Sequence, residues 1–563
     1  MTDQLVVAPL LVALFTAVLT LLTRPNDTLQ RVVSVLGSVA YLVTVAFLFA
    51  RVVLPLGSEP RTLVYFVSDW NAPFGIVLVA DALSVFMLGL AAMVSLVALV
   101  YSVVSVDRLG QRLSYHPLYH FMVVGVSGSF LTGDVFNLFV WFEVMLMSSY
   151  ILVVFYSGPE QTRAALTYVV LNLIGSAVML VAIGGLYATV GTLNMADIAR
   201  RLAAPAEYGV SVLPVLGLSA VLFSVFALKA GLAPFQFWVP AAYRAAPAPV
   251  TAMLAGVMKK VGVYAVVRLY FTVFAAASIP VSLPGISGES FLAFYGPVLF
   301  VMATASIVLG GIGAVGRPDL DGLLAHSSIS QVGFIVLPLA VAATAPSGRV
   351  RLLGVTAALV YSFNHGLAKS LLFLAAGTIK EAVGTDEFTR LGGLADRAPV
   401  LAGAFLLGAL ALVGVPPLSG FFGKLLVFQA GAEALAAGAA GAGLVLAVAL
   451  AGAVLTIAYY TRAWNAAFWG EPSDLVRAAI PRRWVRPEST EDSEGEGEGL
   501  VADGGLAEMT LTTEVAMVVS LAVAIVAFGV GFEAVYASAE AAASAAVDTD
   551  MYVEAVAPEV FTE

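Results

Sequence analysis

Apolar runs long enough to cross a bilayer follow one another along almost the whole chain, and that excludes most folds. Of 563 residues, 60% are hydrophobic and only 11% charged, with mean hydropathy +0.96. A soluble domain carries about 25% charged residues. This chain has too few polar groups to cover its own surface, so a water-soluble globular enzyme is excluded. The solvent is lipid. A span needs roughly 20 apolar residues, and runs bounded by charge, Pro or Gly predict about fourteen transmembrane helices, centred from Leu14 to Ala522. The expected class is an all-α polytopic membrane protein.

The boundaries follow from those runs. Residues 1–115 hold the first three helices and their loops; within them Arg61–Asp81, with Trp70, Pro73 and Gly75, is too mixed to span and reads as an ordered loop. Residues 116–275 and 288–470 hold five runs each. Residues 471–510 read as a disordered acidic loop, because Pro487–Asp503 has seven carboxylates and no basic residue. A fourteenth helix is expected over 511–537. Residues 538–563, with six carboxylates and no Lys or Arg, read as a loosely held acidic tail. Both acidic segments fit a halophilic, high-salt cytoplasm.

Loop charge orients the chain. With the N-terminus outside, fourteen basic residues between Arg24 and Arg486 fall in inside loops and six, from Arg51 to Arg351, in outside loops. Both termini are therefore expected outside a prokaryotic cell membrane. The start MTDQLVVAPL has no basic residue, so it reads as a first span and not a cleaved signal. A net charge of −10 argues against nucleic acid, and the absence of Cys removes thiolate-held iron–sulfur clusters and zinc. No cofactor is expected in this chain.

Lysine and arginine are divided between dry and wet positions. Of six Lys, five (Lys229, Lys259, Lys260, Lys369 and Lys424) lie inside apolar runs, whereas the 21 Arg are almost all in loops. Arg268 and Arg462 are the exceptions, placed toward helix ends where a long side chain can snorkel. An ammonium can release its proton where a guanidinium cannot. Static ion pairs are the alternative, but Glu143 is the one carboxylate well inside a run, with Asp134 nearer an end. One or two acids cannot neutralise five lysines, so the pattern points to a proton path. His365 and Lys369, four apart, share one helix face and favour holding one proton between them.

Two of the lysines border helix breaks. Lys229 is followed by Pro234, and Lys424 is preceded by Pro416 and Pro417. Proline breaks a helix, and in a membrane such breaks survive inside protein or beside water. Paired discontinuous helices, one in each half, mark an ion path in transporters. Asp134, Asn137 and Ser148 are candidate cation ligands, although polar helix packing accounts for them equally well.

At these residues the sequence resembles the antiporter-like family shared by Mrp-type cation/proton antiporters, respiratory complex I and membrane-bound hydrogenases. The resemblance covers about Asp69 to Gly470 and rests on long motifs: the run Gly133–Glu143, Lys229–Pro249, Lys260–Tyr264, His326–Gln331, His365–Lys369 and Pro416–Lys424. It implies two five-helix repeats of inverted topology and a midplane proton relay of Glu143, Lys229, Lys260, His326, His365, Lys369 and Lys424. It implies as partners the other membrane subunits of one antiporter complex, with Na⁺ or K⁺ and H⁺ as the ions. Departures are Asp319-Leu320-Asp321-Gly322 where the family often has a basic pair, and the extra Lys259, for which the sequence offers no role. A proton-pumping membrane subunit of a redox-driven complex is the alternative; a self-sufficient solute carrier fits less well, since no midplane site for an organic solute is apparent.

Overall fold

The computed structural model describes residues 3–54, 60–279, 290–345, 347–480 and 501–556. The chain is an all-α polytopic membrane protein, with one β-hairpin among the described residues. Its long helices are α1 Ala8–Leu22, α2 Asp27–Val52, α3 Ala82–Ser105, α4 His116–Leu131, α5 Val135–Val153, α6 Pro159–Val190 and α7 Val212–Ala230. They continue with α8 Ala248–Ala276, α9 Phe291–Val315, α10 Leu320–Ala343, α11 Gly348–Val383, the two pieces of α12 (Pro399–Val413 and Ser419–Ala436), α13 Ala442–Phe468 and α14 Val501–Val530. Ten of these are long and apolar enough to cross a membrane on their own. The remainder of the expected fourteen are short (α1, α4), richer in polar residues (α11) or broken (α12).

The loop Arg61–Asp81 contains the hairpin: β1 Leu63–Phe66 pairs antiparallel with β2 Val77–Ala80, Leu63 opposite Ala80. Asp81 then caps α3 by accepting from Ser84 N at 2.9 Å.

Burial divides the helices. On α8 and α10 nearly every side chain is buried, and α11 is buried along its middle, whereas α2, α13 and α14 show alternating exposed apolar faces. A polar group in hydrocarbon is costly and has to face protein. The three central helices accordingly carry Lys259, Lys260, Ser327, Ser328, Gln331, Asn364, His365 and Lys369, all buried.

Two expectations, one for a helix end and one for the tail, need correction. Arg268 does not snorkel: it is 1% exposed and its guanidinium donates to both oxygens of Asp81, at 2.7 and 2.6 Å. The described part of the expected tail, Ser538–Val556, is not loosely held either, and residues 557–563 lie outside the described residues. Past Gly531 a helix runs Phe532–Val547 and another Thr549–Val556, and Ala539, Ala542, Ala543 and Ala546 are buried as one small-residue stripe. Ala546 O accepts from Thr272 Oγ1 at 2.7 Å, and Tyr552 lies over the Arg268 guanidinium, 4.7 Å from its ring centroid. Most of the acidic stretch Pro487–Asp503 lies outside the described residues; its last residues, from Val501, begin α14. Residues 474–479 of the expected loop are helical.

Candidate functional site: a buried row of bases

The two expected helix breaks are present, and each is built the same way. α7 ends in Gly231, left-handed at φ 68°, and its freed Leu228 carbonyl accepts from Trp238 Nε1 at 2.8 Å. The chain turns at Leu232–Pro234, where Ala233 N donates to Ser306 Oγ of α9 at 2.9 Å, and resumes as the helix Trp238–Ala245. The first piece of α12 ends in Gly414, left-handed at φ 94°. There the freed Val413 carbonyl accepts from Lys424 Nζ at 3.1 Å, so the lysine of the second piece caps the first. The lysine at each break is buried, whereas Pro234, Pro416 and Pro417 themselves lie exposed on the surface of this chain.

At one end of the row, Glu143 on α5 accepts from Ser176 Oγ of α6. Lys229 Nζ donates to Asn172 Oδ1 of α6 at 3.0 Å and stands 5.9 Å from the Phe142 ring centroid. Asn172 and Ser176 are one turn apart on α6, so the carboxylate and the ammonium are bridged through that helix and do not form a direct ion pair.

α7 then crosses α8 closely. A Cβ at Gly231 would lie 2.7 Å from Lys259 Cε, and one at Gly262 3.1 Å from Lys229 Cβ. Glycine at both points is what admits the two lysines to one crossing. α8 itself opens into wide π turns at Leu254–Met258 and Val267–Val273, on either side of Lys259–Val266. Such bulges re-aim side chains and gather at functional sites. Here Lys260 Nζ meets His365 Nδ1 of α11 at 2.6 Å and donates to Ala255 O at 2.6 Å. Lys259 Nζ turns to the other side, donating to Ser328 Oγ of α10 at 3.4 Å with its ammonium 5.5 Å from the Tyr243 ring centroid.

One turn beyond His365, Lys369 Nζ donates to Ser327 Oγ, to Leu324 O at 3.1 Å and to Tyr460 OH at 3.2 Å. A hydroxyl and amide cluster follows, of which only Gln331, the last residue of the run His326–Gln331, falls in a motif of the sequence. Gln331 donates to Thr456 Oγ1 at 3.0 Å and to Tyr459 OH at 2.6 Å, and accepts from Tyr361 OH. Tyr361 packs on Gly423, beside Lys424, whose Nζ is 4.8 Å from the Phe334 ring centroid. Asn364 Oδ1 accepts from Ser419 Oγ at 2.8 Å, tying α11 to the second piece of α12.

Two sets of expected residues are not brought to this row. His326 is half-buried against Gly313 of α9, with Nδ1 2.9 Å from Gly322 O of its own helix. Asp134 caps α5, with Oδ1 accepting from Asn137 N at 2.8 Å and Nδ2 at 3.2 Å. Ser148 lies about 16 Å further along that helix and donates to Val144 O at 2.9 Å. The three candidate cation ligands therefore do not converge on one point. In place of the family's basic pair, Asp319 accepts from Arg244, and Asp321 pairs with Lys380 at 3.0 Å.

The family model described as NADH:quinone oxidoreductase/Mrp antiporter, TM, matches residues 132–450, which is more than half of the chain. The D-type subunit of the Na(+)/H(+) antiporter of Alkalihalophilus pseudofirmus is 36% identical over 470 residues, covering 83% of this chain and 88% of the relative. That of Bacillus subtilis is 31% identical, covering 84% and 89%. Among solved structures, a chain of the Mrp complex from Dietzia sp. superposes with TM-score 0.77 at 27% identity, over 98% of this chain and all of that one. A chain of the membrane-bound sulfane sulfur reductase, an archaeal respiratory membrane complex, gives 0.78 at 25% identity, over 98% and 99%. The chain belongs to the NADH:quinone oxidoreductase/Mrp antiporter transmembrane family, and within it to the D-type subunits of the Mrp-type Na⁺/H⁺ antiporters.

Proposed function

We propose that this subunit carries protons along the buried row from Glu143 to Lys424, as part of a complex exchanging Na⁺ or K⁺ for H⁺. The observation that carries the reading is the burial of Lys229, Lys260, His365, Lys369 and Lys424 in one row across the centre of the bundle, with Lys260 bonded to His365 at 2.6 Å and Lys369 to Ser327 and Tyr460. Glu143 and Lys229 are linked through α6 and stand poised to approach or separate. When the carboxylate is near, Lys229 keeps its proton; when it withdraws, the proton passes toward Lys260, His365 and Lys369 and leaves at Lys424. Moving one unbalanced charge across the membrane is worth about 2.3 kcal/mol per 100 mV, so exchange that is not one-for-one draws on the potential.

Two further points belong to the same reading. α4–α8 and α9–α13 form two inverted repeats within fourteen spans, supported by the matching breaks of α7 and α12, each with a left-handed glycine and a lysine. Both termini face outward. In support, the loops on the opposite side from the termini hold fourteen basic residues against six on the termini's own side.

In inverted vesicles holding the whole complex and energised by respiration, NaCl or KCl should dissipate the pH gradient. The likeness to a respiratory complex gives the opposing outcome: no response to either cation, with proton uptake dependent on an electron donor to the complex's own redox subunits.

A further inference from the structure

A row of bases sealed inside a bundle has to meet water somewhere. At the end of the bundle carrying Arg244 and Lys380, a cavity of about 340 Å³ opens between α3, α8, α11 and the helix Trp238–Ala245. It runs from exposed Arg244, Lys380 and Glu381 inward past Asp321 to the buried side chains of Thr251 and Tyr243. Two ion pairs stand at its mouth, Arg244 with Asp319 and Lys380 with Asp321, and Glu381 adds a further carboxylate.

Against the Tyr243 ring that lines this cavity lies Lys259, its Nζ 5.5 Å from the ring centroid and fully buried. Gly231 leaves the room for it, since a Cβ there would be 3.1 Å from that nitrogen. An ammonium has three donors; among the described residues Lys259 has one oxygen partner, Ser328 Oγ at 3.4 Å, whereas Lys369 has three. Ser328 adjoins Ser327, the partner of Lys369.

We infer that Lys259 is the port of the row, the residue that exchanges protons with the water of this cavity across Tyr243. The inference rests on the proton-relay reading above. A hydronium ion in the cavity gives its proton to the neutral Lys259 amine and leaves water. The Lys259 ammonium then gives up a proton inward along the row, to the neutral Lys369 amine, and total charge is conserved.

The chain has no cysteine, so an introduced thiol is the one thiol of this subunit, and wild-type complex treated with the same reagent controls for thiols of the other subunits. The test measures cation-triggered proton exchange of the reconstituted whole complex, with Lys424→Ala as the check on the row itself. Lys259→Gln and Lys259→Arg should each lower exchange by at least about tenfold at unchanged yield of the complex. Arginine keeps the charge but cannot release the proton. Ala248→Cys, on the cavity wall, should exchange normally until a cationic methanethiosulfonate is added in detergent before reconstitution, and then fail. Leu109→Cys, exposed at the same end outside this cavity, should be labelled without effect. Wild-type exchange by Lys259→Arg or Lys259→Gln, with Lys424→Ala inactive, overturns the port and leaves the row standing. Should the Lys259 variants fail to assemble, full exchange after complete labelling of Ala248→Cys overturns it as well. Retained exchange in Lys424→Ala would instead remove the row on which the port depends.

Discussion

Lys260 Nζ and His365 Nδ1 stand 2.6 Å apart, both fully buried and contributed by helices that meet at the centre of the bundle. At that distance one nitrogen must donate and the other accept, so the pair holds one proton between them. Two positive charges there would repel by about 6 kcal/mol at an effective dielectric of about 20. A pair of this kind passes a proton on only by receiving another.

Because Lys260 and His365 act as one unit, their substitutions should not add. Lys260→Met and His365→Phe are each expected to lower exchange by about 10²-fold, and the double variant should be no worse than either single. Proton flux in reconstituted vesicles checks this; multiplicative losses would show two independent steps.

Asn172 and Ser176 are expected to set the conversation between Glu143 and Lys229. Asn172→Leu removes the acceptor of Lys229 and should lower exchange by about tenfold, whereas Ser176→Ala should cost less, since Glu143 is partly exposed. Initial rates of both variants at matched complex content decide the order; a larger loss in Ser176→Ala would assign the linking role to the glutamate side.

The crossing of α7 and α8 has no room for a larger residue. Gly231→Val requires a branched side chain at φ 68° and places its Cβ 2.7 Å from both Lys259 Cε and Val239 Cγ2. Left-handed strain and overpacking together are expected to cost about 2–4 kcal/mol. The thermal midpoint of the detergent-solubilised complex should fall clearly, and an unchanged midpoint would mean that the crossing yields.

The Asp81–Arg268 pair is a structural lock between the hairpin end of α3, α8 and the C-terminal helices. Arg268→Ala leaves Asp81 buried without its cation and should cost about 3–5 kcal/mol. Asp81→Ala combined with Arg268→Ala should recover much of that loss, read as complex stability to heating. A double variant as unstable as the single would point instead to the packing of the Arg268 stem against Tyr264 and Tyr552.

The parts of this site that are legible in the sequence are those whose cost in lipid is high. Five lysines in apolar runs have to be held by protein, and Pro234, Pro416 and Pro417 have to interrupt helices, so both are readable without coordinates. Asn172, Ser176, Gln331, Tyr361 and Tyr459 escape such a reading, because small polar and aromatic residues pack between membrane helices whether or not they carry protons. The bond between Asp81 and Arg268 spans 187 positions, beyond the reach of local pattern. Charge alone misleads for the C-terminal helices. Their signal is the spacing of Ala539, Ala542, Ala543 and Ala546, a small-residue stripe that buries well although its neighbours are acidic. Motif alone puts His326 on the row, and the face of α10 on which it stands directs it toward Gly313 instead.

The most direct measurement is dye-reported proton movement in energised inverted vesicles on addition of NaCl or KCl, comparing wild type with Glu143→Ala and Lys424→Ala, the two ends of the row. The account predicts cation-triggered collapse of the pH gradient in wild type, and its loss in both variants with the complex intact. Exchange at the wild-type rate in either variant would contradict a proton path that runs from Glu143 to Lys424.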